Sequence, residues 1–291
     1  RKRAFETAGE VIEHDGFGRM SAWYGGVPNP LGHTPGTAPA SWSTKEEYAL
    51  DDVFGRTQVV YQDQGGAAST ESYTPYADGS HFYQSVSGGP QGAVSWTKFH
   101  GLLQSDGTHH YFYDAWRRLA AVEEIATGAA VRAHTYDAEG RRVRTLEDDG
   151  AVARRLVYWG LSLAAEYEEG AQGPREVRTY GYVGHGDAED LVRVTNSSTG
   201  DGTWIQAMDM QGSFLALIDQ GTGQVAERYR YSSFGTPSVE AASGTPLPAS
   251  ALGNRRFYLG RVWDAELGIY DLRARWFSPG LGCFLAPDPI G

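Results

Sequence analysis

The sequence predicts an all-β chain, a strip of antiparallel β-hairpins that winds without a break. Three observations carry that prediction. Segments rich in Val, Tyr, Thr, Phe and Trp run about five to nine residues and stop at glycine-containing turns. No segment sustains an apolar stripe at helical spacing. A short turn signature, aspartate followed three residues later by glycine, recurs along the chain.

The clearest strands are Val131 to Tyr136, Arg141 to Leu146 and Val152 to Trp159. One short helix is expected over Thr44 to Leu50, where Ser43 stands three residues before Glu46 at capping-box spacing. The turn signature is complete in Asp15 to Gly18-Arg19, Asp52 to Gly55-Arg56 and Asp137 to Gly140-Arg141. Asp114 to Arg117-Arg118 lacks the glycine, and Asp209 to Gly212 lacks the arginine. Tyr113 and Tyr136 immediately precede two of the aspartates. Aspartate opens a type I turn by accepting a hydrogen bond from the backbone two residues on, and glycine supplies the left-handed residue that restarts the strand. Tyrosine before the turn and arginine after it are expected to meet across the hairpin. Separations of 37, 62, 23 and 72 residues between the aspartates are too irregular for propeller blades closing a ring. They suit a continuous sheet whose turns lengthen independently, with Asp78-Gly79, Asp106-Gly107 and Asp149-Gly150 as degenerate turns between.

Composition narrows the function. With 38 glycines but also 36 aromatic residues among 291, the chain is neither collagenous nor disordered. A net charge of -11 argues against binding a phosphate backbone, so no nucleic-acid partner is expected. Arginines outnumber lysines 22 to three, which suits stacking and bidentate pairing rather than a loose cationic surface. The single cysteine, Cys283, makes no internal disulfide. No apolar run reaches membrane-spanning length. The chain begins at Arg1 and reads as a section of a longer polypeptide.

Catalytic and ligand signals are sparse. No cofactor is expected and no metal site, because the eight histidines lack ligand spacing and His109-His110 point opposite ways along a strand. The acidic runs Glu147-Asp148-Asp149 and Glu166 to Glu169 are expected at solvated hairpin turns. The tryptophans at 23, 42, 96, 116, 159, 204, 263 and 276 are expected to pack within sheets, with stacking on a glycan as the alternative. Asn196-Ser-Ser198 is a formal glycosylation sequon.

Tyr136-Asp137 to Gly140-Arg141 resembles the tyrosine-aspartate repeat of the Rhs/YD-repeat proteins, which include bacterial polymorphic toxins, cocoon subunits of insecticidal toxin complexes and the animal teneurins. The last third carries a longer match, similar in order to the Rhs-associated core. It runs through Asp209, Gly212, Gly235, Gly260, Asp264 and Gly268, then Arg273, Arg275, Pro279, Gly282 and Phe284, and closes on Asp288-Pro289-Ile-Gly291. Cys283 stands where the family commonly has arginine, and Trp276-Phe277 where two tyrosines are common.

The resemblance implies a strip of β-sheet coiled into part of a hollow shell, with a YD-repeat section over 1–205 and the core over 206–291. It implies a non-catalytic module that encapsulates and helps deliver a C-terminal toxin or effector. An extracellular adhesion or carbohydrate-binding module is the alternative. The implied partners are the enclosed effector, the delivery machinery and further shell sequence or copies of the chain, and the implied location is secreted or cell-surface. Asp288 matches one aspartate of the family's autoproteolytic pair. The second would fall beyond Gly291, so no enzyme activity is expected of this chain alone.

Overall fold

The computed structural model describes residues 9–15, 19–28, 37–50, 56–75, 83–88, 94–97, 101–160, 162–170, 173–181, 191–194 and 202–289. These elements are β-strands apart from one 3-10 turn at Tyr258–Gly260. The chain groups into two compact units, residues 1–108 and 109–291.

In the first unit, β1 (Gly9–His14), β2 (Met20–Val27), β3 (Thr44–Leu50), β4 (Arg56–Asp63), β5 (Ser69–Pro75) and β6 (Tyr83–Ser87) form a six-stranded sheet in chain order. A hairpin of β7 (Ser95–Trp96) and β8 (Leu103–Ser105) follows. The helix expected over Thr44 to Leu50 is instead β3, paired on both sides in antiparallel register. Seven residues make a marginal helix in water, whereas β2 and β4 offer a complete hydrogen-bond ladder. As a strand the segment turns Glu46 and Tyr48 to the buried face, which a helix would have split apart.

The second unit is a meander in which each strand pairs antiparallel with the next. It contains β9 (His109–Tyr113), β10 (Leu119–Glu124), β11 (Ala130–Tyr136), β12 (Arg142–Glu147), β13 (Val152–Trp159), β14 (Ser162–Gly170) and β15 (Gly173–Gly181). It continues through β16 (Leu191–Val194), β17 (Gly202–Met208), β18 (Phe214–Asp219), β19 (Val225–Tyr231), β20 (Pro237–Ala241) and β21 (Pro246–Leu247). Alternation sets the faces: along β19, Glu227, Tyr229 and Tyr231 are buried while the residues between them are partly exposed. After β21 the chain turns back over this face. There it forms a small four-stranded sheet from β22 (Val262–Asp264), β23 (Ile269–Asp271), β24 (Trp276–Ser278) and β25 (Cys283–Phe284).

The core lies between the meander and this returning segment. Phe214, Leu217 and Tyr229 from the meander pack with Phe257 and Tyr270. Each fully buried aromatic or leucine there contributes roughly 1.5–3 kcal/mol. Backbone bonds seat the join: the Phe214 amide donates to the Phe257 carbonyl at 3.0 Å, and the Tyr270 hydroxyl donates to the Gly235 carbonyl at 2.8 Å. Gly235 has φ +101, and a Cβ there would lie 2.5 Å from the Tyr258 ring, so glycine lets the segment approach.

Candidate functional site

The repeat signature builds a defined turn. In the copies at Asp114, Asp137 and Asp209 the aspartate amide donates to the carbonyl four residues on, and the amide three residues on donates back to the aspartate carbonyl. The carboxylate then fastens the loop. Asp137 Oδ1 accepts the amides of Glu139 and Arg141 at 3.0 and 2.8 Å, while Arg141 Nε donates to Oδ2 at 2.7 Å. Asp114 repeats this with Trp116 and Arg118, and Asp209 Oδ1 accepts the amides of Gln211 and Ser213 in the same way. Asp15 binds Arg19 through the same two oxygens. Hydrogen bonds from Arg141 outweigh the burial cost and hold the Asp137 carboxyl below its ordinary range. Gly140 and Gly212 take φ +79 and +84, and Arg117 fills that position in the Asp114 copy at φ +62.

The tyrosine and arginine meet between copies. Arg118 lies over Tyr136 at 4.5 Å and Arg141 over Tyr158 at 5.5 Å, so the stacking links each turn to the next one along the same edge, not the two sides of one hairpin. The tyrosine hydroxyls repeat the link. Tyr136 donates to the Leu119 carbonyl, Tyr158 to Arg142 and Tyr231 to Phe214, in each case just past the preceding turn. Gly18, Asp52, Gly55 and Gly291 lie outside the described residues, as do Asp78-Gly79 and the Asn196 sequon. Arg56 of the Asp52 copy is buried, with its guanidinium over Tyr48 and Tyr73.

Several recurring elements escaped sequence reasoning. Ser232 to Gly235-Thr236 is another copy, with the serine hydroxyl accepting the Thr236 amide in place of a carboxylate. At the opposite strand ends a second turn recurs in Glu124 to Thr127-Gly128 and Asp219 to Thr222-Gly223, each closed by a glycine amide donating four residues back. Glu-x-Tyr recurs too: in Glu46/Tyr48, Glu71/Tyr73 and Glu227/Tyr229 the hydroxyl donates to the carboxylate two residues earlier on the buried face. Residues two apart share a strand face, and that spacing is the signal that could have found these pairs.

The acidic runs depart from expectation. Asp148 and Asp149 do sit in a turn, at φ +52 and +53. Glu147, however, ends β12 largely buried, and the run Glu166 to Glu169 belongs to β14: Glu169 lies beside the strand's end, where Gly170 pairs with Gly173, but Glu166 sits inside the strand. Glu166 is 1% exposed, accepting from the Tyr180 hydroxyl at 2.6 Å and from Arg178 at 3.1 Å. Burial pushes its pKa up, but Arg178 and Arg255, the Tyr180 hydroxyl and Arg154 outweigh it and bring the carboxyl down to about 2. Nothing in the run itself announces the arginines, which come from neighbouring strands and from the returning segment.

Asp264 of the core signature, with its neighbours Arg255, Asp271 and Trp276, holds that segment down. Asp264 forms a bidentate pair with Arg132 at 2.7 and 3.1 Å, Asp271 meets Arg142 at 3.0 Å, and Arg255 reaches Glu147 at 3.2 Å. Trp276 stacks on buried His134 with ring centroids 4.9 Å apart. Burial, with Arg142, Arg132 and Arg255 nearby, holds that imidazole neutral well below its ordinary range. Gly260, Gly268 and Gly282 take positive φ in the segment's turns, and the Pro279 carbonyl accepts the Gly282 amide. Arg275 lies over Phe284 at 3.7 Å and pairs with Asp288 at 3.2 Å. It is thus Arg275 that supplies a cation beside Asp288, although Cys283 stands where the family commonly has arginine.

Asp288 and Pro289 reach a cleft of about 990 Å³. One wall is the Asp-turn edge, from Trp116 to Arg118, Asp137 to Arg142 and Tyr158; the other is the returning segment, with Arg256, Arg261, Asp271 and Arg273. Among the described residues, no cluster of three or more His, Cys, Asp or Glu is placed to hold a metal ion. Most tryptophans are buried or partly buried, but Trp116 and Trp159 on this edge are 73% and 84% exposed, against the expectation of packing.

The chain resembles known proteins in both sequence and fold. The tRNA nuclease WapA of Bacillus subtilis (strain 168) is 30% identical over 197 residues, 68% of this chain and 8% of that protein. The probable deoxyribonuclease RhsB of Dickeya dadantii (strain 3937) is 26% identical over 282 residues, covering 84% of this chain and 18% of that protein. The chain therefore spans only a small part of these relatives. The crystal structure of TcdB2-TccC3 matches 97% of this chain and 14% of its own with a TM-score of 0.67 at 15% identity. That complex without its hypervariable C-terminal region matches with a TM-score of 0.68 at 14% identity, covering 97% of this chain and 14% of that one. No family model matches. Sequence relatives of the WapA and Rhs kinds, on a chain folded like part of TcdB2-TccC3, make this protein a member of the toxin-associated Rhs/YD-repeat family.

Proposed function

We propose that the chain is a structural module of a larger toxin, part of the wall of a β-shell together with the core that closes it, shielding and helping deliver a C-terminal effector. Residues 206–291 act as the Rhs-associated core and 1–205 as wall. The observation that carries this reading is the locked return of residues 254–289 onto the meander, through one buried and two partly buried arginine–carboxylate contacts and a shared aromatic core. Such an element is built to stay closed. The nuclease activities in the names of WapA and RhsB belong, on this reading, to parts of those proteins outside the matched stretch, and the chain by itself is not an enzyme.

In this scheme Asp288 is one half of an autoproteolytic aspartate pair, with the other half on the polypeptide that follows the core. One carboxylate activates water while the other protonates the departing amine. The module works outside the producing cell, at its surface or after secretion, in contact with the effector, delivery machinery and adjoining shell sequence.

The test is a full-length polypeptide carrying a reporter nuclease after the core. The reporter is expected to be inactive and protease-resistant until urea opens the protein, and Asp288→Asn is expected to leave the polypeptide uncut. A reporter that is active and digestible in the native protein refutes encapsulation. Exposed Trp116 and Trp159 favour carbohydrate adhesion as a second reading. Glycan-array binding by the 291-residue chain that disappears in Trp159→Ala would replace the shell reading with that one.

A further inference from the structure

Arg117 and Arg273 both hold left-handed backbone, at φ +62 and +71. This is a region L-residues avoid and hairpin turns usually give to glycine. Both line the cleft of about 990 Å³ and also a hollow of about 10 Å³ beside it. They come from different elements: Arg117 from the turn between β9 and β10, Arg273 from the turn between β23 and β24. The Asp114 turn loses nothing in its hydrogen bonding by having glycine there, as the Asp137 and Asp209 copies show. Arg117 is exposed and makes no side-chain hydrogen bond or ion pair among the described residues, so its guanidinium adds nothing to the turn. Backbone strain kept at a cleft by Arg117, without benefit to its own turn, points to a task in that cleft.

The charge of the cleft indicates the task. Seven arginines line it against four carboxylates, in a chain whose net charge is -11. All four carboxylates are already paired, Asp137 and Glu139 with Arg141, Asp271 with Arg142 and Asp288 with Arg275 just outside the lining, while Arg118 is paired with Asp114. Apolar surface from Trp116, Leu156, Tyr158, Leu163 and Val262 lies between the cations. An inorganic anion would leave most of this volume and all of this apolar surface unused. We propose that the cleft binds an extended acidic peptide, with carboxylates held by Arg117 and Arg273 through charge-assisted hydrogen bonds and apolar side chains lying along Trp116 and Tyr158.

The experiment uses the 291-residue chain and a fluorescein-labelled decapeptide of alternating Glu and Leu, read by anisotropy at low ionic strength. Saturable binding is expected, weakened about tenfold or more when Gln replaces Glu and about tenfold in Arg117→Gly or Arg273→Gly. Because glycine suits the Asp114 turn and the Arg117 side chain adds nothing to it, Arg117→Gly is expected to keep the thermal midpoint of the parent, which separates lost binding from lost folding. Equal binding of the Gln peptide, or full affinity in both glycine variants, overturns the proposal. So does displacement of the peptide by inorganic phosphate at matched concentration, which would make this a simple anion site.

Discussion

Replacing Asp264 by Asn tests what holds the returning segment. Asp264 and Arg132 stand 132 residues apart in sequence, with side chains 4% and 7% exposed and two hydrogen bonds at 2.7 and 3.1 Å. Removing one partner of such a pair strands a buried charge, at a cost of roughly 3–5 kcal/mol. Glu266, 48% exposed and 2.7 Å from Arg132 Nη1, remains as a partial counter-charge and favours the low end. A loss of about 3 kcal/mol multiplies the opening equilibrium of the segment on the order of a hundredfold. Hydrogen exchange at neutral pH reads this directly, and the expected acceleration is concentrated in residues 262–271 and β11. Removing both charges, as Arg132→Met with Asp264→Leu, is expected to recover most of the loss, since a packed apolar pair replaces a buried ionic one at little cost. Unchanged exchange in 262–271, or an equal rise in β1 to β6, refutes the claim that this pair latches the segment.

Acid is expected to act on the same join. The Glu166 carboxyl, at about 2 in the fold and roughly 4.3 when unfolded, stabilises fully above about pH 4.5, and that contribution is lost as pH falls toward 2. Asp264 and Glu147 shift in the same direction. Buried neutral His134 adds a loss that begins as pH falls below about 6.5, so the thermal midpoint should decline from there and steeply under pH 4.5, less so in Glu166→Gln. Gly235→Ala drives a methyl into the Tyr258 ring and should destabilise more than Gly140→Ala, where only the left-handed backbone resists, at about 1–2 kcal/mol in urea titrations. Arg118→Lys loses both the fork to Asp114 and the stack on Tyr136, and the same titrations should show a cost of about 1 kcal/mol.

What the sequence makes readable in this chain is local, and the reason is physical. An Asp-x-x-Gly turn is complete within five residues, so Asp137 and Gly140 announce it wherever they stand. A run rich in β-branched and aromatic residues between glycine-containing turns likewise declares a strand such as β13 before any partner is known. The segment Thr44 to Leu50 misled because its capping-box spacing is also local, and a weak local preference yields to the ladder that β2 and β4 provide. Glu166 misled for the converse reason. An acidic run looks solvated until Arg178 and Arg255 arrive from 12 and 89 residues away, and such distances leave no mark on the run itself.

The same contrast separates the two sides of the cleft. Its Asp-turn wall could be foreseen from the repeats, but the pairing of that wall with Arg273 and Asp288 depends on the returning segment, whose position is fixed by contacts such as Arg132 to Asp264 and Tyr270 to Gly235. Those contacts join residues 132 and 35 positions apart. The cleft therefore exists only while the latch is closed. A variant that frees the segment, Asp264→Asn foremost, should lose peptide binding even though no residue touching the peptide has changed. If peptide binding survives in a protein whose 262–271 amides exchange freely, the Asp-turn wall binds alone, and Arg273 has no part in holding the peptide.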